Sequence, residues 1–233
     1  MSERILIVNA DDFGRSPGIN AGVIKSFEQG IVTSASLMVR WDAPTREAAS
    51  YAREHPSLGI GLHADLGEWV VTGGSWTAKY EVVPEDDADA IERELQNQLD
   101  TFRALVGRDP THLDAHQHRH RHPPAARVFR AMAEHLGVPL RDRTAGIHYN
   151  GEFYGRAPDG RPIGNAISVA RMQEILVSLQ PGVTELGCHP GMASDDDSMY
   201  GLERELEVAV LCDPSVRAIV EREGILLRSF ASL

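Results

Sequence analysis

The sequence predicts an α/β fold, a single-domain (β/α) barrel of about seven parallel strands. Three observations point there. Short apolar runs alternate with amphipathic stretches along all 233 residues. That rhythm builds parallel strands joined by helical crossovers. Polar residues recur at the ends of successive runs, at Asp11, Asp12, His63, His116, Arg141 and His189. Side chains gathered at the carboxyl ends of parallel strands mark the active face of a barrel. No linker divides the chain and no internal repeat is evident, so it reads as one domain.

The first run, residues 4–9, is almost wholly apolar, as a strand buried on both faces requires. Ser16-Pro17 follows, a capping residue with proline at the first helical position. Residues 33–39 and 58–63 read as the second and third strands, with a helix over 44–55 between them. A helix over 88–106 leads to a fourth strand at 111–116. A helix over 123–136 leads to a fifth at 138–141. Then come a helix at 168–179, a strand at 184–189, and a helix at 202–211. A last helix starts at Asp213-Pro214, runs toward Glu223, and feeds a strand at 225–230. Gly107, Gly137 and Gly224 stand just past helix ends, where a left-handed cap is wanted. Two long connections, 64–87 and 142–165, are expected to shape binding on the active face.

Composition narrows the function. At 42% hydrophobic and 24% charged the chain is globular. A net charge of −11 argues against nucleic-acid or anionic-membrane partners. No apolar stretch approaches the ~20 residues of a membrane span. The sequence enters a strand pattern at once, with no signal peptide. Two cysteines, Cys188 and Cys212, make no disulfide framework. A cytoplasmic location is the expectation, and a homodimer stays open.

Asp11 and Asp12 end the first strand side by side. Adjacent residues of a strand point differently, so one carboxylate can hold a metal while the other works as a base. The competing reading is that Asp12 caps the following turn. Residues 111–122 hold five of the ten histidines. On a continued strand, Asp114, His116, His118 and His120 would share one face, too polar for ordinary core. Imidazoles are common ligands for divalent transition metals. A solvated polar tract competes, and fits His122, beside Pro123-Pro124, best. Taken alone, His63 reads as a buried structural histidine, Arg141 as a surface arginine and His189 as a turn residue. Cys188 reads as a small core residue and Asp195-Asp196-Asp197 as a solvated loop.

Five motifs occur in order: Asn9-Ala10-Asp11-Asp12-Phe13-Gly14; residues 33–39, Thr-Ser-Ala-Ser-Leu-Met-Val; Gly59-Ile60-Gly61-Leu62-His63; residues 112–118, His-Leu-Asp-Ala-His-Gln-His; and Cys188-His189-Pro190-Gly191. Together they resemble the YdjC-like carbohydrate deacetylases. The resemblance implies a distorted (β/α) barrel that hydrolyses the N-acetyl group of an amino sugar, such as a chitin-type oligosaccharide. It implies one divalent ion on Asp12, His63 and His116, with Asp11 as general base, Arg141 orienting it and His189 as general acid. Asp114 would hold a histidine in the required tautomer. His118 rivals His116 as a ligand and otherwise serves as support or substrate contact. Zn and Mg lead as the metal, with Mn and Co open; two imidazoles favour Zn over Mg. Trp69 and Trp76, in the first long connection, either stack on sugar faces or anchor their loop. The sequence departs from the family where Ala64-Asp65-Leu66-Gly67-Glu68-Trp69 replaces a threonine-containing turn, and in a short second connection. Two alternatives remain. One is a multi-metal phosphoesterase or amidohydrolase, in which His118 and His120 add ligands. The other is a non-catalytic metal- or sugar-binding protein, which would need neither Asp11 nor His189.

Overall fold

In the computed structural model, which describes residues 3–192 and 200–233, β1 (Arg4–Phe13) is the spine. The acidic run Asp195-Asp196-Asp197 lies outside the described residues. β1 pairs in parallel with β2 (Ser34–Leu37) on one side and β8 (Gly182–Cys188) on the other. The sheet continues through β3 (Gly59–Ala64) to β6 (Leu113–Ala115) at one edge, and to β7 (Ile147–Asn150) at the other. β9 (Ile225–Leu227) adds to the opening residues of β1. The seven strands are all parallel and the sheet curls, but β6 and β7 are not joined by a ladder. The result is a half-barrel, which is the sense in which the barrel is distorted.

The seven strands are not quite the expected seven. Residues 138–141 make a single bridge, Leu140 to Leu113, rather than a strand. Their place is taken by β7, which forms inside the second long connection. The first long connection also folds: β4 (Gly67–Thr72) and β5 (Ser75–Glu81) form an antiparallel hairpin. Its turn is Gly73-Gly74, both with positive φ (62° and 83°). That two-residue pair between β-rich segments is a sequence signal for a hairpin, so the first connection is more ordered than a long loop.

Helices α1 (Pro17–Glu28), α2 (Asp42–Glu54), α3 (Ala88–Val106), α4 (Ala125–Leu136), α5 (Val169–Ser178), α6 (Leu202–Leu211) and α7 (Pro214–Arg222) are the crossovers. Ser16 caps α1 by accepting from the Ile19 amide, and Ser168 caps α5 in the same way. The three cap glycines, 107, 137 and 224, take left-handed φ of 81°, 66° and 62°. α3 buries Ile91, Leu95, Leu99, Phe102 and Val106, a stripe of helical period. Each such side chain contributes about 1.5–3 kcal/mol when buried. Leu6, Val8, Ala10, Leu37, Ile60, Leu62 and Leu113 meet these helices from the sheet.

Register places the site. Ala10 pairs with Cys188, so Asp11 in β1 and His189, the first residue after β8, lie at one level. His63 pairs directly with Asp114. Between Ala10 and Phe13 the β1–β2 ladder slips by a residue, a bulge that contains Asp11 and Asp12. No helix of the described residues is long and apolar enough to cross a membrane.

Candidate active site

The bulge sends the two adjacent carboxylates apart. Asp12 has φ of 65°, so its side chain turns away from that of Asp11. Asp11 accepts from Arg141 twice, at 2.6 and 2.7 Å, and from Asn9 Nδ2 at 3.0 Å. Burial alone would raise its pKa, but Arg141 and His63 outweigh burial and hold the carboxyl below its usual range. Asp12 places Oδ2 on Arg204 at 2.6 Å. Its Oδ1 lies 3.4 Å from His63 Nε2 and 3.1 Å from His116 Nδ1. Among the described residues the side chain accepts from Arg204 and from no backbone amide of the following turn. Burial opposes its charge, yet Arg204 and His116 hold it well below the carboxylate range.

Asp12, His63 and His116 form a buried group whose ligand atoms all lie within 4.8 Å of one another. Asp12 Oδ1 is buried and, among the described residues, accepts no hydrogen bond. A buried carboxylate oxygen without a donor is rare, and a cation is one of its few explanations. One carboxylate and two imidazoles are a donor set suited to a divalent transition metal, so the residues fit such an ion.

The ring of His63 is oriented by its partners. Asp114 Oδ1 lies 2.7 Å from His63 Nδ1 and accepts its proton, which leaves Nε2 facing Asp12. Asp114 Oδ2 accepts from Ser36 Oγ at 2.7 Å and from Arg141 at 2.7 Å. Ser36 must donate to the carboxylate, so it accepts from Asn9 and from His112 Nε2, at 2.8 and 3.0 Å. Burial works against charge on His63, but Asp114 and Asp11 overcome it and raise its pKa to about 10 without metal. His112 is neutral instead: burial lowers it to about 3. A side chain at Gly61 would overlap the His112 ring, which accounts for glycine there.

Arg141 is not the surface residue its type suggests. It is 3% exposed and spans three carboxylates, with Nε on Glu185 at 2.7 Å and the other nitrogens on Asp11 and Asp114. His189 presents Nε2 3.7 Å from Asp11 Oδ2, and its ring packs at an angle against the stacked pair Tyr154 and Tyr200. Burial lowers its pKa to about 4, against the pull of Asp11 and Asp12, so it rests neutral. Its amide donates to Glu207. Cys188 is buried, with Sγ on the Asn9 carbonyl.

The histidine tract departs from expectation. β6 stops at Ala115, and residues His116–Arg121 form a short 3-10 turn in which Gln117 and His118 have positive φ. The tract therefore shares no strand face. His116 reaches the Asp12 group, whereas His118 lies by Tyr149, 3.4 Å from its hydroxyl. His120 is fully buried beside Phe129. Neither belongs to a group of three metal-ligating atoms among the described residues.

These side chains open on a cavity of about 770 Å³ that also reaches the hairpin. Trp69 is pinned there: Gln117 bonds its backbone at 2.9 and 2.8 Å, and Arg119 covers its ring at 4.0 Å. Trp76 lies on the cavity wall and is 51% exposed. Arg204, Glu185, Glu207, Tyr149 and Ser36 were missed. Ser36 lies within a quoted motif and could have been found; the others carry no local signal.

Fold and site define the class: a parallel half-barrel α/β protein with a candidate metal centre where its strands end. A model of the YdjC-like protein family matches residues 5–222, and the chain belongs to that family. It is 35% identical to a carbohydrate deacetylase of Geobacillus stearothermophilus, covering 97% of each chain. It is 35% identical to a chitooligosaccharide deacetylase of Serratia marcescens, over 99% of this chain and 100% of the other. A crystal structure of an Enterococcus faecalis protein named for cellobiose-phosphate cleavage matches with a TM-score of 0.78 and 26% identity, over 99% of both chains.

Proposed function

We propose that residues 1–233 act as one YdjC-like deacetylase domain that hydrolyses the N-acetyl group of an amino sugar, in a chitin-type oligosaccharide or a related glycoconjugate. The observation that carries this is the orphaned Asp12 oxygen facing two imidazoles, beside a second, arginine-held carboxylate in the same cavity. The names of the relatives from Geobacillus stearothermophilus and Serratia marcescens support the substrate class. Asp12, His63 and His116 would hold one divalent ion, Zn or Mg first and Mn or Co next. When bound there, such an ion would acidify a water and polarise the acetamide carbonyl.

The chain's own residues do the rest. Asp11, kept ionised by Arg141, takes a proton from the attacking water as general base. Arg141 fixes the direction of that carboxylate. His189 protonates the departing amine. Because it rests neutral, its proton is gained during the reaction, and Asp11 Oδ2 at 3.7 Å is the adjacent source. The products are acetate and a free amine. Asp114 fixes the ring of His63, His118 supports the cavity wall, and Trp69 anchors the hairpin against the turn. Trp76 is the better placed of the two indoles to meet a sugar face.

The test is acetate release from N-acetylated glucosamine oligomers of graded length, with metal-stripped and metal-supplemented protein. Stoichiometric acetate that depends on added metal is expected. Release of phosphate from sugar phosphates, with no acetate from any N-acetyl sugar, would overturn the assignment.

A further inference from the structure

β7 carries Tyr149 to the cavity wall that also holds Asp11, Asp12 and His189. Room has been made for its phenol. A Cβ at Gly187 would lie 2.7 Å from the hydroxyl oxygen, and a Cβ at Gly151 would lie 2.9 Å from the ring. The ring lies near two guanidinium groups, with Arg141 and Arg121 each 5.1 Å from its centroid. Among the described residues the hydroxyl has one hydrogen-bonding partner, His118 Nε2, at a long 3.4 Å. A contact of that length is weak. Tyr149 is part-buried on the wall of the cavity, so a hydroxyl so poorly matched within the protein is open to a bound substrate.

We propose that Tyr149 is a catalytic residue whose hydroxyl donates a hydrogen bond to the acetamide oxygen as negative charge builds on it. The role rests on the deacetylase assignment above. A phenol ring faced by two cations is drained of electron density, which strengthens its O–H as a donor. Such a donor is matched to a developing oxyanion better than to a neutral sugar hydroxyl. Burial holds the phenol protonated, so the proton stays on Tyr149 throughout. The two glycines set where the hydroxyl and its ring sit.

Tyr149→Phe removes one oxygen and keeps the ring with both cation contacts. Its kcat for acetate release from N,N′-diacetylchitobiose should fall by roughly 10²–10³, the usual loss for one oxyanion donor. KM, metal content and affinity for the deacetylated product should stay within about threefold, since none depends on transition-state charge. Gly187→Ala, which pushes the hydroxyl aside, should also lower kcat, but should add little in the Tyr149→Phe background. Unchanged kcat in either single variant would overturn the proposal. So would a raised KM at constant kcat, which would put the hydroxyl on a sugar group in the ground state, or equal Gly187→Ala losses in both backgrounds. If Tyr149→Phe fails to fold, the Gly187→Ala result decides. Wild-type protein that releases no acetate from any N-acetyl sugar would sink the deacetylase assignment and this role with it; active wild type with an equally active Tyr149→Phe sinks this role alone.

Discussion

Replacing Asp114 by asparagine should weaken metal binding although Asp114 is not itself a proposed ligand. Asp114 accepts three hydrogen bonds in a fully buried position: His63 Nδ1 on one oxygen, and Ser36 and Arg141 on the other, each at 2.7 Å. Asparagine has one acceptor oxygen. If it faces Arg141, its NH₂ meets the Nδ1 proton of His63. The clash is relieved only if Nδ1 gives up its proton while Nε2 keeps one, and an Nε2 that carries a proton toward Asp12 can no longer ligate. If the oxygen faces His63, the NH₂ meets Arg141, which cannot give up a proton. Either way one charge-assisted bond is lost in the interior, at about 1.5–3 kcal/mol. If the first arrangement prevails, that cost falls on metal binding as a loss of roughly 10–100-fold, the range seen when a ligand loses its orienting partner. The assay is calorimetric titration of chelator-stripped protein with Zn²⁺, wild type against Asp114→Asn, with Asp12→Asn as the ligand control. An Asp114→Asn affinity within threefold of wild type, beside a large loss in Asp12→Asn, would show that Asp114 does not set the tautomer.

Asp11→Asn should bind metal as wild type does and lose roughly 10²–10⁴ in turnover, because an amide cannot take the water's proton; metal content and acetate release measured on one preparation check both halves. Metal uptake should expel a proton. His63, raised to about 10 in the metal-free site by Asp114 and Asp11 against burial, is charged at neutral pH and must become neutral to ligate. Titrations in buffers of different ionisation enthalpy should report close to one proton released near pH 7.5, with affinity rising with pH. Glu207 predicts a stability slope. Burial raises its pKa from 4.5 to about 8, partly opposed by Tyr200 and the His189 amide. The folded protein then binds more protons than the unfolded one between those values, so this contribution is full below about 4.5 and is lost as pH rises through about 8. Melting curves of Glu207→Gln should lack that decline; parallel curves for both proteins would refute it.

The fold was legible because its main signals are local. The apolar run of β1, the Ser16-Pro17 cap and the period of α3 each need only neighbouring residues to be read. What misled was a property no local window holds. Residues 138–141 look like a strand, but the sheet edge beside Leu113 accepts only one bridge from them. Ile147-His148-Tyr149-Asn150 looks like loop, and becomes β7 because β8 offers it four partners. The site divides in the same way. Asp11, Asp12, His63 and His189 sit at strand ends and could be placed by counting. Arg204 and Glu207 come from α6, far along the chain, and meet Asp12 and His189 only in the folded state.

The histidine tract shows why residue type outruns geometry in such reading. Five histidines in 111–122 suggest several ligands, yet one reaches the Asp12 group. The reason lies in the backbone. Two consecutive left-handed residues, Gln117 and His118, end the strand direction immediately after His116, so period-two alternation ceases to apply. That turn has a purpose visible in its contacts. It lets Gln117 grip the backbone of Trp69, sets Arg119 over the Trp69 ring, and brings His118 to Tyr149. The segment therefore spends one histidine on the candidate metal centre, buries His112 and His120 in the interior, and lines the cavity with Gln117, His118, Arg119, Arg121 and His122. Extending β6 to bring more of these histidines onto one face would undo the turn and lose the hairpin's attachment to Gln117 and Arg119.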